Sequence, residues 1–163
     1  MKKINYLAIF IVFLIFSNGC AGYKPIFASS DFQFKISEYE IEGDKKLGNK
    51  IYANLYNLTK SNKNNQDIKT ISLFIKASKS KEATSKDSAG EVLEYRITLT
   101  TEVRVSDYLT NDKILNQTFS SSINYKLQNQ YSDSIKLENK SMDDLIQKTY
   151  QELLMRLSDN ISK

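Results

Sequence analysis

Alternating apolar and polar residues predict four β-strands in this chain. The clearest run extends from Leu93 to Val105, where nearly every second residue is apolar and the intervening residues are polar or charged. A period of two residues is typical of a strand with one buried face. Similar runs begin at Phe32, Ile71 and Leu115, so the sheet is predicted to be amphipathic, with one covered face.

Two irregularities interrupt this pattern. In the first run the apolar positions shift by one residue between Ile36 and Tyr39, which predicts a β-bulge. Residues 78–90 lack alternating apolar positions and are rich in serine and lysine. They are predicted to form a long polar connection between the second and third strands.

A helical period predicts a first helix after Asp44, a favourable N-cap residue. From Leu47 to Leu58 the apolar residues recur at spacings of four, four and three, which places them on one helix face. The polar residues 61–67 follow, so the helix is predicted to end near Lys60.

A second apolar stripe with helical period runs from Met142 to Ile161. Ser141, with Asp144 three residues later, resembles a capping box at the start of this helix. An earlier start remains open, because a loop would not explain Ile135.

The predicted element order is therefore β-α-β-β-β-α. Strands with one apolar face need a cover on that face, and two amphipathic helices supply it. The later strands are predicted to be antiparallel, and the first is predicted to join a neighbour in parallel through its helical crossover. The fold class is α+β: a two-layer sandwich of a four-stranded mixed sheet with two helices on one face.

Composition narrows the possible chemistry. The chain has no histidine, one cysteine, five glycines and one proline among 163 residues. This excludes histidine-dependent catalysis, an internal disulfide and nearly every zinc arrangement. The carboxylates do not form pairs with opposed environments, as an acid-base mechanism would require. We therefore expect a protein that is not an enzyme and uses no cofactor.

The N-terminus has the layout of an export signal. Lys2 and Lys3 precede eleven apolar residues, too few for a membrane-spanning helix of about 20 residues. The sole cysteine, Cys20, follows Ser-Asn-Gly, which resembles a bacterial lipobox. Residues 1–19 are predicted to be a signal peptide, 20–30 a tether acylated at Cys20, and 31–163 a single domain.

Maturation would also change the charge. Loss of Lys2 and Lys3 lowers the formal net charge from +4 to +2, which does not favour nucleic acid as a partner.

The polar face of the third and fourth strands combines hydroxyl and amide groups with charges of both signs. It is interpreted either as a solvated sheet face or as a surface that lies against another polar wall. The lumen of an outer-membrane β-barrel is such a wall. The residues predicted to face a barrel are Arg96, Thr98, Thr100, Arg104, Thr118 and Ser120.

The lysines of residues 78–90 also allow two interpretations. They belong either to a solvated loop or to a contact with an anionic head group, because ammonium groups bind phosphate as point charges. The predicted head-group contacts are Lys79, Lys81 and Lys86.

The chain resembles the LPS-assembly lipoprotein family, LptE, in its alphaproteobacterial form. Residues 19–27, GCAGYKPIF, are similar to the family's Cys-Gly-[Phe/Tyr]-x-Pro-[Leu/Ile]-[Tyr/Phe] start, with Ala21 as an inserted residue. Residues 41–44, residues 123–125 and the 145–157 helix also match. The resemblance covers nearly the whole mature chain in element order.

This resemblance implies a Gram-negative outer-membrane lipoprotein that faces the periplasm and carries acyl chains such as palmitate. It would plug the LptD β-barrel, help that barrel assemble, and assist lipopolysaccharide delivery to the outer leaflet. Its partners would be LptD, lipopolysaccharide and, through the lipid anchor, the membrane. The family is not enzymatic.

One alternative is a lipoprotein accessory subunit of an inner-membrane lipid transporter, which would bind a lipid between sheet and helices in the periplasm. An enzyme that uses carboxylates alone is the remaining alternative.

Overall fold

A computed structural model describes residues 34–60 and 68–161. The elements are β1 (Phe34–Gly43), α1 (Lys45–Lys60), β2 (Lys69–Lys86), β3 (Val92–Asp107), β4 (Lys113–Lys126) and α2 (Tyr131–Ile161). The strands form a four-stranded sheet in the order β1-β2-β3-β4. β1 is parallel to β2, and the other pairs are antiparallel. The predicted α+β fold and its element order are confirmed.

The predicted signal peptide, the acylation site Cys20 and the tether lie outside the described residues.

The core lies between the sheet and the two helices. Alternate residues of β2 and β3, such as Ile75 and Leu99, are fully buried against Ile51 of α1 and Leu145 of α2. Burying an aliphatic side chain of this size contributes about 1.5–3 kcal/mol relative to leaving it exposed. This layer therefore holds the helices on one face of the sheet and leaves the other face open.

The junction between β1 and α1 is closed by two residues. Gly43 adopts a left-handed backbone with φ of 72°, and its Cα lies against the carbonyl group of Ala77 in β2. Asp44 then caps α1, because its Oδ1 accepts hydrogen bonds from the backbone N–H of Lys46 at 3.0 Å and of Leu47 at 3.1 Å. The predicted N-cap is confirmed.

The predicted bulge in β1 is also confirmed. Ile36 pairs with Ile71, whereas Glu38 pairs with the next residue, Ser72, so Ser37 is the extra residue. The extra residue shifts the alternation by one position, so that Tyr39 and Ile41 lie on the side of the sheet that the helices cover.

The predicted polar connection at residues 78–90 is wrong for most of its length. β2 continues to Lys86 and pairs with β3 as far as Val92, so only residues 87–91 form the turn. Residues 78–86 are exposed and need no apolar face, because their backbone hydrogen bonds to β3 maintain the strand.

The predicted capping box at Ser141 is wrong, whereas the earlier start suggested by Ile135 is confirmed. α2 begins at Tyr131, and Ser141 lies buried in its middle instead of capping it. Asp143 is likewise in mid-helix, where it pairs with Lys50 of α1 at 2.6 Å. In the first turn of α2, the Ser134 Oγ accepts a hydrogen bond from the backbone N–H of Gln128 at 2.8 Å. This bond ties the start of the helix to the preceding segment, and the apolar stripe in the sequence does not indicate it.

Neither helix in the described ranges combines the length and the apolar character needed to cross a bilayer.

Candidate functional site

The face of the sheet opposite the helices, here called the outer face, is the main candidate for an interaction surface. Since alternate β3 residues such as Ile97, Leu99 and Val103 point into the core, the residues between them point outward. All the side chains predicted to face a barrel lie on this outer face: Arg96, Thr98, Thr100, Arg104, Thr118 and Ser120.

The centre of the outer face is a cluster of hydroxyl groups. Thr100 lies between Ser78 of β2 and Ser120 of β4, and the Thr100 Oγ1 and Ser120 Oγ are 3.4 Å apart. In the next register position Thr98 lies between Ser80 and Ser122. Six short side chains that both donate and accept hydrogen bonds thus share one neutral patch. We call this patch the hydroxyl cluster.

Charged side chains border the hydroxyl cluster at both ends, and the arginines among them are paired with carboxylates. On one side Arg96 contacts the Glu82 Oε1 at 3.3 Å and donates from Nε to the Asn124 Oδ1 at 3.1 Å. On the other side Arg104 contacts the Glu102 Oε1 at 3.4 Å. Such exposed pairs contribute little to stability, but they leave the outer face with many hydrogen-bonding groups and with charges of both signs.

The Arg104 end of the outer face is concave. Here a shallow, open depression of about 780 Å³ is lined by residues that include Glu38, Glu40 and Asn116. The Arg104 guanidinium lies 3.7 Å from the centre of the Phe74 ring, a cation-π contact that covers one face of this aromatic side chain. The depression could accept a polar side chain or loop of a partner.

Two of the lysines predicted to contact a head group lie instead on the helix side of the sheet. The ammonium groups of Lys79 and Lys81 share the Glu138 carboxylate of α2, at 2.5 Å to Oε1 and 2.7 Å to Oε2. The Tyr125 hydroxyl donates to the same Oε2 at 2.8 Å. Lys86 lies further along β2, close to the turn, and is exposed. The structure therefore brings Lys79 and Lys81 together and places Lys86 apart.

This network sets the protonation of its members. Burial raises the pKa of Glu138, but the hydrogen bonds from Lys79, Lys81 and Tyr125 outweigh it and lower that pKa to about 2. Burial lowers the pKa of Lys81, but its hydrogen bonds with Glu138 and Tyr125 prevail, so the net shift is upward. Both ammonium groups face one carboxylate that stays ionised, which leaves a local excess of one positive charge.

Sequence reasoning missed Glu138 and Tyr125 as members of this network. Glu138 is separated from Lys81 by 57 positions, and it precedes the apolar stripe that predicts a helix from Met142 onward. No local pattern in the sequence could have identified it.

Among the described residues, no group of three or more histidine, cysteine, aspartate or glutamate side chains could hold a metal ion.

The fold belongs to a class of small α+β domain that occurs in bacterial lipoproteins. The uncharacterized lipoprotein B of Nitrosomonas europaea is similar with a TM-score of 0.57 and 16% identity, over 82% of this chain and 88% of that one. The minor lipoprotein of Acinetobacter baumannii gives a TM-score of 0.55 and 16% identity, over 77% and 91%. The rare lipoprotein B of Shewanella oneidensis gives 0.50 and 17%, over 77% and 99%.

At these identities the likeness establishes a shared fold. No family model matches the sequence, and the comparison with curated proteins found no match.

Proposed function

We propose that this protein is a lipoprotein, acylated at Cys20 and anchored in the outer membrane on the periplasmic side. It plugs the LptD β-barrel, helps that barrel assemble, and assists lipopolysaccharide delivery to the outer leaflet. Three observations support this proposal: the lipobox-like sequence before Cys20, a fold shared with bacterial lipoproteins, and the chemistry of the outer face.

The observation that carries the proposal is the outer face, with its hydroxyl cluster and paired charges. A barrel lumen is polar, and a plug seated in it exchanges hydrogen bonds to water for hydrogen bonds to the wall. An unpaired charge would lose hydration there without compensation. Pairs such as Arg96 with Glu82 and Lys76 with Glu42 offset part of that cost, while the hydroxyl groups remain free to adapt to the wall.

The packing of the core disfavours the inner-membrane transporter alternative. That function needs an apolar space between the sheet and the helices. In the described residues this layer is filled by side chains with no solvent exposure, among them Ile97, Leu99, Leu145 and Leu153.

The predicted head-group contacts of Lys79, Lys81 and Lys86 remain a proposal. A phosphate that binds Lys79 and Lys81 would have to compete with the Glu138 carboxylate, which already occupies both ammonium groups. Since two cations share one carboxylate, a phosphate monoanion would neutralise the remaining local charge of +1. We further propose that the protein acts by binding and not as an enzyme.

Photo-crosslinking in intact cells tests the barrel assignment. A photoreactive residue at Thr100, in the hydroxyl cluster, should give an adduct with a large β-barrel protein of the outer membrane. The matched control is Gln147, an exposed residue of α2 in the opposite layer, where we expect a weaker adduct. Absence of a barrel adduct from Thr100 at normal expression, or adducts with inner-membrane transporter subunits, would contradict the proposed function.

A further inference from the structure

The turn between β3 and β4, residues 108–112, presents an apolar tip to solvent. Leu109 is 82% exposed and the adjacent Tyr108 is 40% exposed. Single apolar residues on a surface need no explanation. Here, however, two large ones are adjacent at the extreme end of the sheet, and the backbone beneath them is held rigidly.

The backbone donors of this turn are satisfied within the protein. The Asp107 Oδ1 accepts hydrogen bonds from the N–H groups of Leu109 at 2.9 Å and Thr110 at 3.1 Å. The N–H of Asn111 donates to the Asp107 carbonyl at 3.0 Å, and the N–H of Tyr108 donates to the Thr70 carbonyl at 3.0 Å. A tip built in this way can enter a medium poor in water without leaving these donors unpaired.

Charged groups of both signs surround the tip in the described residues. Lys35, Lys69 and Lys113, all exposed, lie at the adjoining strand ends, near Asp107 and Asp112 of the turn. Hydrogen bonds from the backbone of Leu109 and Thr110 lower the pKa of the Asp107 carboxyl, so that group stays ionised and the turn stays closed. The three lysines favour contact with a leaflet that contains anionic phosphatidylglycerol.

The tip lies where the chain from Cys20 enters the domain. Phe34, the first residue of β1, pairs with Lys69 of β2, and Tyr108 bonds to the next β2 residue, Thr70. Phe34 and Tyr108 are therefore separated by two strand spacings, a distance of about 10 Å. The 14 residues from Cys20 to Phe34 can span at most about 50 Å, so an anchor at Cys20 does not by itself hold this end of the sheet at the bilayer.

We propose that the β3–β4 turn is a second, non-covalent membrane contact. Leu109 enters the apolar edge of the leaflet that holds the acylated Cys20, and Tyr108 occupies the head-group level, where tyrosine is favoured. Two side chains bind a bilayer weakly, but the covalent anchor keeps them at a high effective concentration near it. The inference rests on the acylation in the proposed function and does not depend on the barrel.

Tryptophan fluorescence can test this contact, since the chain contains no tryptophan. Natively acylated protein carrying Tyr108→Trp would be reconstituted into phosphatidylethanolamine and phosphatidylglycerol vesicles with brominated acyl chains. The matched control, Ser88→Trp, lies in the β2–β3 turn at the other end of the sheet. We expect blue-shifted emission and at least twofold quenching at position 108, and water-like emission at position 88. Adding Leu109→Asp to the Tyr108→Trp chain should abolish the quenching.

Equal emission at the two positions would overturn the proposal. So would quenching that survives Leu109→Asp, since it would reflect the affinity of tryptophan itself. Burial of the position 108 probe in native outer membranes but not in protein-free vesicles would assign the tip to a protein partner instead. Mass spectrometry of Cys20 distinguishes failure of the proposed function from failure of the membrane contact. An unacylated cysteine would contradict the proposed function. An acylated protein that does not bury its tip would contradict only the membrane contact.

Discussion

At the scale of single residues, two hydroxyl groups stand out because they are buried and lack partners. The Oγ1 atoms of Thr101 and Thr149 have no hydrogen-bond partner among the described residues, and both side chains are fully buried. An unsatisfied buried hydroxyl costs free energy that an apolar group of the same shape does not. Each of these two buried hydroxyl groups therefore lowers the free energy of unfolding.

Replacing Thr101 with valine should remove part of this cost. We expect Thr101→Val to raise the free energy of unfolding by about 1 kcal/mol, measured by urea denaturation. The neighbouring Thr100 points to solvent on the same strand, so Thr100→Val should change stability by less than about 0.5 kcal/mol. A loss of stability in Thr101→Val would mean that the hydroxyl has a partner in solution.

Glu138 should give the protein a distinct acid sensitivity. Its pKa of about 2 in the folded state lies below the ordinary value of 4.5, so its contribution is complete above pH 4.5 and is lost as the pH falls toward 2. Water screens the partly exposed lysines, so we expect a contribution of about 1–2 kcal/mol.

Comparing denaturation midpoints at pH 7 and pH 3 tests this contribution. The Glu138→Gln variant should be less stable than the parent chain at pH 7 and should lose less stability on acidification. The exposed Glu91, changed to glutamine, is the control and should behave like the parent. An unchanged pH slope in Glu138→Gln would show that the network does not form.

At the scale of elements, sequence pattern was sufficient wherever a strand or helix buries one face in the core. The alternation of β3, the stripe of α1 and the bulge after Ile36 were each predicted correctly, because core burial imposes a strict period. The end of β2 was missed, and the start of α2 was left open, for the opposite reason. Residues 78–86 keep strand structure by pairing with β3 while exposed, and the first turns of α2 bury small polar residues such as Ser134.

The junction between β1 and α1 should be sensitive to any side chain at Gly43. A Cβ there would overlap the Ala77 carbonyl oxygen, and the φ of 72° is already unfavourable for alanine. We expect Gly43→Ala to cost at least about 3 kcal/mol of unfolding free energy. Gly90 has φ of 87° but open space around it, so Gly90→Ala should cost only about 1–2 kcal/mol. Similar losses in the two variants would show that the overlap is relieved in solution.

At the scale of the whole molecule, the two layers differ in their contacts. The helices and the core-facing residues form the packed core of the domain, and the opposite face of the sheet is open. Membership of the outer face could be predicted from parity alone, since every second residue of β3 and β4 must point away from the core. The ion pairs on this face could not be predicted in this way, because partners such as Glu82 and Arg96 meet only through strand register.

We propose that this molecule is an anchored plug within a barrel, and purification from native outer membranes tests that proposal. Tagged protein extracted with mild detergent should be recovered with one large β-barrel protein in a one-to-one complex. Cys20→Ser should reduce its yield from the membrane fraction. Recovery of the acylated protein as a monomer, with no barrel in stoichiometric amount, would contradict the account.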